Sequence, residues 1–381
     1  MNMQTLHWPS EDVAFAIPYL RLISLVDLTD EDRMAWDRLA EQAEPGFFFA
    51  HPWFLEPLLD VPGRVLAVIE NASGHWEGLV ALDRVERLGR LPVPLWHCVK
   101  DANQFLGSVL IRKGQALSFW TSMISALENV DGTCLGLLLP ELPQDSEAAL
   151  ALRAYASRTQ RRLEVIRSGQ RAALHGGVNY DDHLAKALPA KRRGRLASLA
   201  RKIEAEVGPL RLEQAQGPLA TSHWIDQFLA LERVGWKGDA SSAMAASSTT
   251  EHLFRSAVSG AADKGIAQCL TLFAGPVPLA FSVQFIDGPT GCGFKTCYDE
   301  RYARFAPGLQ LLLQITRQIC GTPGLRFDSC STPDQASING LWPDRIKIAD
   351  YCIGFHGRGR GQMFDAVMAV RKLWHQGKAL V

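Results

Sequence analysis

Residues 295–318 read KTCYDERYARFAPGLQLLLQITRQ, and this stretch decides the fold prediction. It begins as a strand, crosses a charged turn and reaches Pro307-Gly308, after which leucines at helical spacing predict a helix. Proline near a helix start loses no intrahelical hydrogen bond, and an adjacent glycine lets a ligand approach the backbone. The first helical turn has unpaired N–H groups at the positive end of the helix dipole, which suit a phosphate. The stretch therefore predicts either a phosphate-binding turn or an ordinary turn before a core helix.

The amino-acid composition is that of a globular protein. The chain has 40 basic and 40 acidic side chains, and 47% of its residues are hydrophobic. Its length of 381 residues suggests two domains. A net charge of zero gives no global sign of nucleic-acid or membrane binding, so any basic surface is local. Segment 1–28 carries acidic residues and an arginine within its apolar run and fits neither a signal peptide nor a spanning helix. We therefore expect a cytoplasmic protein.

Cysteine spacing predicts no metal site. The eight cysteines form no CxxC pair and no tight CxH spacing, which argues against zinc and against a disulfide framework in a chain of this length. Cys330, in FDSCSTPD, is the cysteine to consider as a nucleophile, although no histidine lies near it in sequence. Buried small hydrophobic residues are the simpler interpretation of the set.

Strand and helix patterns follow one another in two similar runs. Residues 1–175 read as strand, helix, short helix, three strands, helix, strand, helix and strand. Residues 176–355 read as two helices around a strand, a further helix, three antiparallel strands, the Pro-Gly helix and a strand, and residues 356–381 are expected to form a basic helical tail. The sequence predicts an α/β (α+β) protein of two tandem units, each a mixed, mostly antiparallel sheet flanked by helices.

Several segments carry a family resemblance. They are FFFAHPWFLEPLL (47–59), NQFLGSVLIRKG (103–114), LERVGWKG (231–238), FKTCYDERYARFAPGLQLL (294–312) and LRFDSCSTPDQASINGLWPDRIKIADYCI (325–353). With the order of elements, they resemble the GNAT acyltransferase superfamily, and within it the acetyltransferase-like group described as CelD or cellulose-biosynthesis related. Members of that group are similar to the FemABX peptidyltransferases, which carry two GNAT-like units in one chain. The resemblance covers about residues 20–355.

The resemblance implies that acyl-coenzyme A is a co-substrate and that no metal is needed. In the GNAT superfamily the turn before the Pro-Gly helix holds the pyrophosphate of acyl-CoA. The usual loop is Q/R-x-x-G-x-G/A, whereas this chain retains one basic residue and one glycine, Arg304 and Gly308. We expect the backbone N–H groups of Gly308, Leu309 and Gln310, after Pro307, to hold phosphate, and Arg304 to pair with it.

Acyl transfer to an amine needs an oxyanion donor and a base that takes a proton from the ammonium group. A carboxylate in a partly desolvated cleft suits the base. Asp328, at a strand end, and Glu232, in a helix, are the candidates, and each is equally consistent with a structural carboxylate. Lys295 lies in a predicted core strand, where a lysine costs free energy unless it is paired. The alternative is that its side chain points to solvent, as the two-residue period of a strand allows. We place Lys295 in the catalytic centre, as a cation near the acceptor or its phosphate.

Four further residues are candidates for contact with the substrate. They are Trp236, Lys237, Trp342 and Arg345. Lys237 supplies a cation near the acceptor or its phosphate, and the tryptophans supply apolar surface. For Trp342, packing onto the core is the safer interpretation.

Basic residues are concentrated at 186–202 and again in the tail at 356–378. The first cluster is consistent with a solvated helix face, with a surface for anionic lipid or an acidic acceptor, or with transfer RNA. Nucleic acid is the least favoured partner, because no aromatic stacking platform accompanies the charges. Together the two clusters favour peripheral contact with the inner membrane.

The predicted function is an acyl-CoA-dependent N-acyltransferase acting on an amine of a lipid, such as a sphingoid base, or of an envelope sugar. Bacterial ceramide synthases belong to the same broad GNAT group, which with the basic clusters is the reason for naming a lipid amine. One alternative is an aminoacyl-tRNA-dependent ligase of FemABX type. Another is a non-catalytic GNAT-like partner in exopolysaccharide or cellulose biosynthesis.

Overall fold

The computed structural model describes residues 19–234, 243–357 and 359–378, with side chains described as far as residue 373. The strands are β1 (Tyr19–Ile23), β2 (Val65–Glu70), β3 (Trp76–Leu88), β4 (Leu91–Cys98), β5 (Val109–Ile111), β6 (Gly136–Pro143), β7 (Leu163–His175), β8 (Leu210–Gln214), β9 (Ala267–Ala274), β10 (Val277–Asp287), β11 (Thr290–Tyr298), β12 (Arg326–Asp328) and β13 (Asp344–Gly354). The helices are α1 (Asp30–Gln42), α2 (Pro52–Leu55), α3 (Ala116–Val130), α4 (Glu147–Arg158), α5 (Tyr180–Ala187), α6 (Ala190–Glu206), α7 (Pro218–Val234), α8 (Ser248–Asp263), α9 (Pro307–Cys320), α10 (Ala336–Asn339) and α11 (Arg360–Lys378).

These strands join one sheet. Their order is β1-β2-β3-β4-β6-β13-β7-β12-β11-β10-β9-β8, and β5 pairs with β3. The β4–β6 and β11–β12 pairs are parallel, whereas the other pairs are antiparallel. The predicted class, a mixed and mostly antiparallel sheet flanked by helices, is confirmed.

Strand β13 brings the end of the second run into the first. It lies between β6 and β7 and is antiparallel to both. Strand β7 in turn pairs with β12, so the sheet is continuous across the middle of the chain. The division into units at residues 175 and 176 stays a prediction.

Helices cover both faces of the second run. Leu311, Ile315 and Ile319 of α9, at a spacing of four residues, are buried against one face. Helices α7 and α8 cover the other face with aromatic rings that contact each other and β10. Because neighbouring residues of a strand point to opposite faces, Ala280 packs with α9 and Phe281 packs with α7. Strand β11, beside β10, is therefore held between two helical layers.

An aromatic turn at residues 47–54 ties the first run to the second. The ring of Trp53 lies 5.0 Å from the ring of Phe285 in β10. The ring of Phe54 lies 5.8 Å from the ring of Phe294 in β11. Aromatic pairs at these separations add to the stability that burial provides. The turn therefore supports β11 from the side of the first run.

His51 is a buried histidine within this turn. Its residue exposure is 7%. Burial lowers the pKa of His51 to about 4, and the positive charge of Lys264 acts in the same direction. The imidazole is therefore neutral in the folded protein at pH 7.

Helix α11 forms from the basic tail. Phe364 and Met368 are buried against the sheet, whereas Met363 and Leu373 are 57% and 67% exposed. The helix therefore has a second, exposed apolar face. Within residues 19–234, 243–357 and 359–378, no helix is long and apolar enough to cross a membrane.

Candidate functional site

A cleft opens where β11 and β12 diverge. The two strands pair over three residue pairs, from Thr290 with Arg326 to Cys292 with Asp328. Strand β12 ends at Asp328, whereas β11 continues to Tyr298. The two chain segments separate beyond this point and leave a cavity of about 540 Å³ between them.

The cleft brings several predicted site residues together. Its walls come from β11, the first turns of α9, the segment after β12, the end of α7 and a loop of the first run. The predicted site residues that line it are Glu232, Lys295, Gly308 and Leu309. Apolar side chains, among them Leu312, complete a wall suited to the carbon chain of a ligand.

A β-bulge shapes the wall formed by β11. Val283 of β10 lies opposite Lys295, and Gln284 lies opposite Gly293, so Phe294 is an extra residue in β11. Bulges bend a strand and change the direction of its side chains, and they are common beside active sites. Both Phe294 and Lys295 line the cleft.

Lys295 is held by residues of the first run. Its Nζ donates to Oδ1 of Asn103 at 2.7 Å. The same Nζ lies 5.6 Å from the ring centroids of Phe105 and Phe294. The expectation that a lysine in this strand needs partners is therefore met by an amide oxygen and two aromatic faces.

Glu232 is a buried carboxylate on the cleft wall. It lies near the end of α7, and its residue exposure is 2%. Its Oε2 accepts the backbone N–H of Met244 at 2.7 Å, which helps to offset the cost of burying a charge. The carboxylate therefore faces a ligand cleft from a position shielded from bulk water.

The N-terminus of α9 borders the cleft with fewer free donors than the sequence predicts. The N–H groups of Leu309 and Gln310 both donate to the carbonyl oxygen of Ala306 at 3.0 Å. The Nε2 of Gln310 donates to the carbonyl of Leu196 in α6, also at 3.0 Å. Of the three predicted amides, Gly308 is the one whose N–H is left for a ligand, so the expected three-amide cradle is reduced to one donor.

Gly308 also allows a close approach to the helix. Pro307 is the first residue of α9, as predicted, and it is preceded by Ala306 with φ 54° and ψ 53°. A Cβ at Gly308 would lie 3.3 Å from the ring of Tyr298. A larger residue at Gly308 would therefore compete for the space between α9 and β11.

Arg304 lies outside the cleft. It pairs with Glu206 of α6, and the two residues border a separate open depression of about 560 Å³ that Lys202 also lines. Since Arg304 is only four residues before Gly308, the depression begins next to the start of α9. The predicted contact of Arg304 with phosphate would be made there.

Asp328 is placed in a buried ion pair. Its Oδ2 accepts from Nη2 of Arg171 at 2.7 Å, and the two side chains are 11% and 5% exposed. Its Oδ1 accepts the N–H of Cys330 at 2.9 Å. Asp328 does not line the 540 Å³ cleft. The structural interpretation, a carboxylate that fixes the turn after the strand, matches these contacts.

The predicted substrate residues fall into three groups. Trp342 is 2% exposed, and its Nε1 donates to Oγ1 of Thr316 at 2.9 Å, so it is a core residue and not part of the cleft lining. Arg345 is exposed on β13, donates to the carbonyl of Trp342 at 2.7 Å and does not line the cleft. Trp236 and Lys237 lie outside the described residues.

Cys330 lines the cleft in an environment unsuited to a nucleophile. It adopts φ 51° and is 9% exposed. Burial raises the pKa of the Cys330 thiol well above its usual value, and contact with Cys292 and Asp328 adds to the increase. The thiolate form is therefore disfavoured.

Sequence reasoning missed the contribution of the first run to the site. Asn103 and Phe105 come from the loop between β4 and β5, and the Nη1 of Arg171 in β7 holds the carbonyl of Phe105 at 2.7 Å. The segment NQFLG was recognised only as part of a resemblance. Its contact with Lys295 joins residues 192 positions apart, which no local pattern encodes.

Comparison with known families identifies a domain in the second run. Residues 190–334 match the model of an acetyltransferase (GNAT) domain. The match includes α6 to α9 and β8 to β12, and therefore the region in which β11 and β12 separate. It indicates a transferase, whereas the resemblance to the CelD-like group stays a prediction. No curated protein matches the chain.

Comparison with solved structures extends the likeness to most of the chain. FemX has 9% sequence identity and a TM-score of 0.57, over 87% of this chain and 98% of FemX. A conserved protein of unknown function from Bacteroides thetaiotaomicron VPI-5482 has 12% identity and a TM-score of 0.52, over 88% of this chain and 99% of its own. At these identities the comparison shows a shared fold.

Proposed function

We propose that this protein is an acyl-CoA-dependent N-acyltransferase whose acyl thioester lies in the cleft between β11 and β12. The observation that carries the proposal is the divergence of these two strands within the matched acetyltransferase domain, with Glu232, Lys295 and the start of α9 on the walls. An apolar cleft with a few convergent charged groups is the usual form of a small-molecule site.

In this proposal the donor is held at the N-terminal end of α9. The Gly308 N–H and the positive end of the helix dipole favour a phosphate group. Lys202 and Arg304 line the separate depression, where Lys202 adds positive charge for further phosphates and Arg304 is paired with Glu206. The thioester end then extends along β11 into the apolar part of the cleft.

Glu232 is the proposed general base. It takes a proton from the acceptor ammonium, and the resulting amine attacks the carbonyl carbon of the thioester. The C–N bond forms as the C–S bond breaks, and coenzyme A leaves as a thiolate that takes up a proton. The shielded position of Glu232 favours proton transfer within the site over exchange with bulk water.

The proposed acceptors are an amine of a lipid, such as a sphingoid base, or of an envelope sugar. The exposed lysines and arginines of α5 and α6, between residues 186 and 202, supply positive charge for an anionic surface. Met363 and Leu373 of α11 supply exposed apolar area. We propose on this basis that the protein acts in the cytoplasm in peripheral contact with the inner membrane.

A second candidate function is an aminoacyl-tRNA-dependent ligase of FemABX type. The shared fold with FemX over 87% of the chain favours it. In that case the exposed cations of α6 would bind the phosphates of transfer RNA. The third candidate is a non-catalytic partner in exopolysaccharide or cellulose biosynthesis. In that case the protein would show no turnover with either donor.

Release of free thiol from acyl-CoA separates these functions. Purified protein is mixed with acetyl-, octanoyl- or palmitoyl-CoA and a panel of primary amines, and thiol is measured with a colorimetric disulfide reagent. We expect amine-dependent release that Glu232→Gln lowers by roughly 10²- to 10⁴-fold. Absence of release with every donor and amine would refute the acyl-CoA proposal, and transfer from aminoacyl-tRNA would then support the second candidate.

A further inference from the structure

The segment that follows β12 forms a polar wall of the cleft. Four of its residues line the cavity of about 540 Å³, namely Ser329, Ser331, Gln335 and Ser337. Each of these side chains carries a hydroxyl or a carboxamide group, which can both donate and accept a hydrogen bond. None of them carries a charge. This wall therefore suits neutral polar groups of a ligand, and hydroxyl groups in particular.

Helix α9 forms an apolar part of the same cavity. Leu309, Leu312 and Ile315 line it at intervals of three residues along the helix. In the proposed function the acyl thioester extends along β11 from the start of α9, so its carbon chain meets these apolar side chains. The polar wall, which comes from the β12 side of the cleft, is then left for the second substrate, the amine.

Hydrogen bonds fix the inner part of the polar wall. The N–H of Ser329 donates to the carbonyl of Ala172 in β7 at 3.0 Å. Cys330 has φ 51°, and on either side of it the hydroxyl oxygens of Ser329 and Ser331 lie 2.8 Å apart. The N–H of Ser331 also donates to Oγ of Ser329 at 3.2 Å. The two hydroxyl groups are therefore ordered before a ligand binds, which lowers the entropic cost of binding.

The outer part of the wall is open to a ligand. Gln335 and Ser337 are exposed, and neither side chain has a hydrogen-bond partner within residues 19–234, 243–357 and 359–378. The backbone beneath them is fixed, because Nδ2 of Asn339 donates to the carbonyl of Pro333 at 2.6 Å and Ile338 is buried. The wall thus combines a fixed backbone with side-chain groups that can turn toward a substrate.

We propose that the acceptor carries hydroxyl groups within a few bonds of its amine, and that the polar wall binds them. The inference rests on the proposed acyltransferase function and specifies its acceptor class. The amine meets Glu232, which lines the same cavity, while the hydroxyl groups contact the wall. Amino sugars and the head groups of sphingoid bases share this chemistry. Ser329, Ser331, Gln335 and Ser337 are then specificity-determining residues.

Matched pairs of amines test the proposal. Glucosamine is compared with cyclohexylamine, and serinol with isopropylamine, each with octanoyl-CoA as donor and thiol release as the readout. The measured ratio is kcat/KM for the hydroxylated amine divided by kcat/KM for the other member of its pair. Amine basicity differs within a pair but is the same for every protein variant. A change in the ratio between wild type and variant therefore reports contact with the wall.

Variants locate the preference in the wall. Ser331→Ala should lower the ratio by about 2- to 10-fold, as expected for one lost neutral hydrogen bond, whereas Ser331→Thr should retain most of it. The triple variant Ser331→Ala, Gln335→Ala, Ser337→Ala should lower it on the order of 10- to 100-fold, through KM for the hydroxylated amine. Thr332→Ala is the matched control and should leave the ratio unchanged, because Thr332 is an exposed residue of the same segment that does not line the cavity. The pair with the larger change identifies an amino sugar or a sphingoid head group as the source of the hydroxyl groups.

The outcomes separate this inference from the function on which it rests. An unchanged ratio in the triple variant for both pairs would overturn the inference and leave the acyltransferase proposal intact. An equal fall in kcat/KM for both members of each pair would also overturn it, since that result gives the wall a structural role. A higher KM for octanoyl-CoA at an unchanged ratio would overturn it by assigning the wall to the donor. Absence of amine-dependent thiol release in the wild type would refute the function itself, and the inference with it.

Discussion

Replacing Asp328 by alanine tests whether this residue is a structural carboxylate or a base. The substitution removes the partner of Arg171, whose side chain is 5% exposed, and leaves the N–H of Cys330 without its 2.9 Å acceptor. Breaking a buried ion pair on one side costs roughly 3–5 kcal/mol, because the remaining charge is left in a low-dielectric environment. Since Asp328 is 11% exposed, we expect the lower end of this range, about 3 kcal/mol of unfolding free energy.

The assay is equilibrium unfolding in urea, with thiol release measured on the same preparation below the transition. We expect Asp328→Ala to shift the midpoint to lower urea while thiol release per folded molecule falls less than about tenfold. The double variant Arg171→Met with Asp328→Leu should recover part of the lost stability, because it removes both charges together. A loss below about 1 kcal/mol together with abolished thiol release would refute the reasoning and assign Asp328 to the chemistry.

Further predictions concern single residues around the fold. The pKa of His51 is lowered to about 4 from an ordinary value of 6.5, so the unfolded chain binds more protons than the folded protein between these pH values. The free energy of unfolding should therefore fall by about 2 kcal/mol from pH 7 to pH 4.5. His51→Gln should flatten this part of the plot of urea midpoint against pH. Trp342→Phe should cost about 1 kcal/mol in urea unfolding by removing the bond to Thr316, and leave KM for acyl-CoA unchanged. Ala306→Gly should raise the unfolding free energy by roughly 1 kcal/mol, since the residue has φ 54°. Cys330→Ala should retain thiol release from acyl-CoA. Loss of that release in the variant would indicate that Cys330 is a nucleophile.

Local pattern was sufficient for the helix that borders the site. The leucine spacing after Pro307 predicts a helix, and α9 runs from Pro307 to Cys320 with Leu311 and Ile315 buried. The three strands before it were also predictable, because each is an apolar run, or an alternation of apolar and polar residues, bounded by turn residues. These features depend on neighbours in sequence.

The cleft depends on relations that a sequence pattern does not contain. The early end of β12 opens the space, and the position of β12 follows from its pairing with β7 of the first run. Whether a predicted amide is available depends on the residue at which the helix begins. Because α9 starts at Pro307, the carbonyl oxygen of Ala306 in the cap position accepts the N–H groups of Leu309 and Gln310. A lone tryptophan such as Trp342 is compatible with a ligand contact as well as with the favoured core position until its neighbours in space are known.

The central claim is that the cleft between β11 and β12 binds an acyl-CoA at the start of α9. The most direct test is thermal or urea unfolding of the wild type, Gly308→Glu and Gly194→Glu with and without octanoyl-CoA. A Cβ at Gly308 lies against Tyr298, whereas a Cβ at Gly194 of α6 meets nothing within 4 Å, so the second variant is the matched control. At a ligand concentration one hundred times Kd, the wild type and Gly194→Glu should gain about 2.7 kcal/mol, and Gly308→Glu should gain none. An equal gain in Gly308→Glu, or no gain in the wild type with any acyl-CoA, would contradict the account.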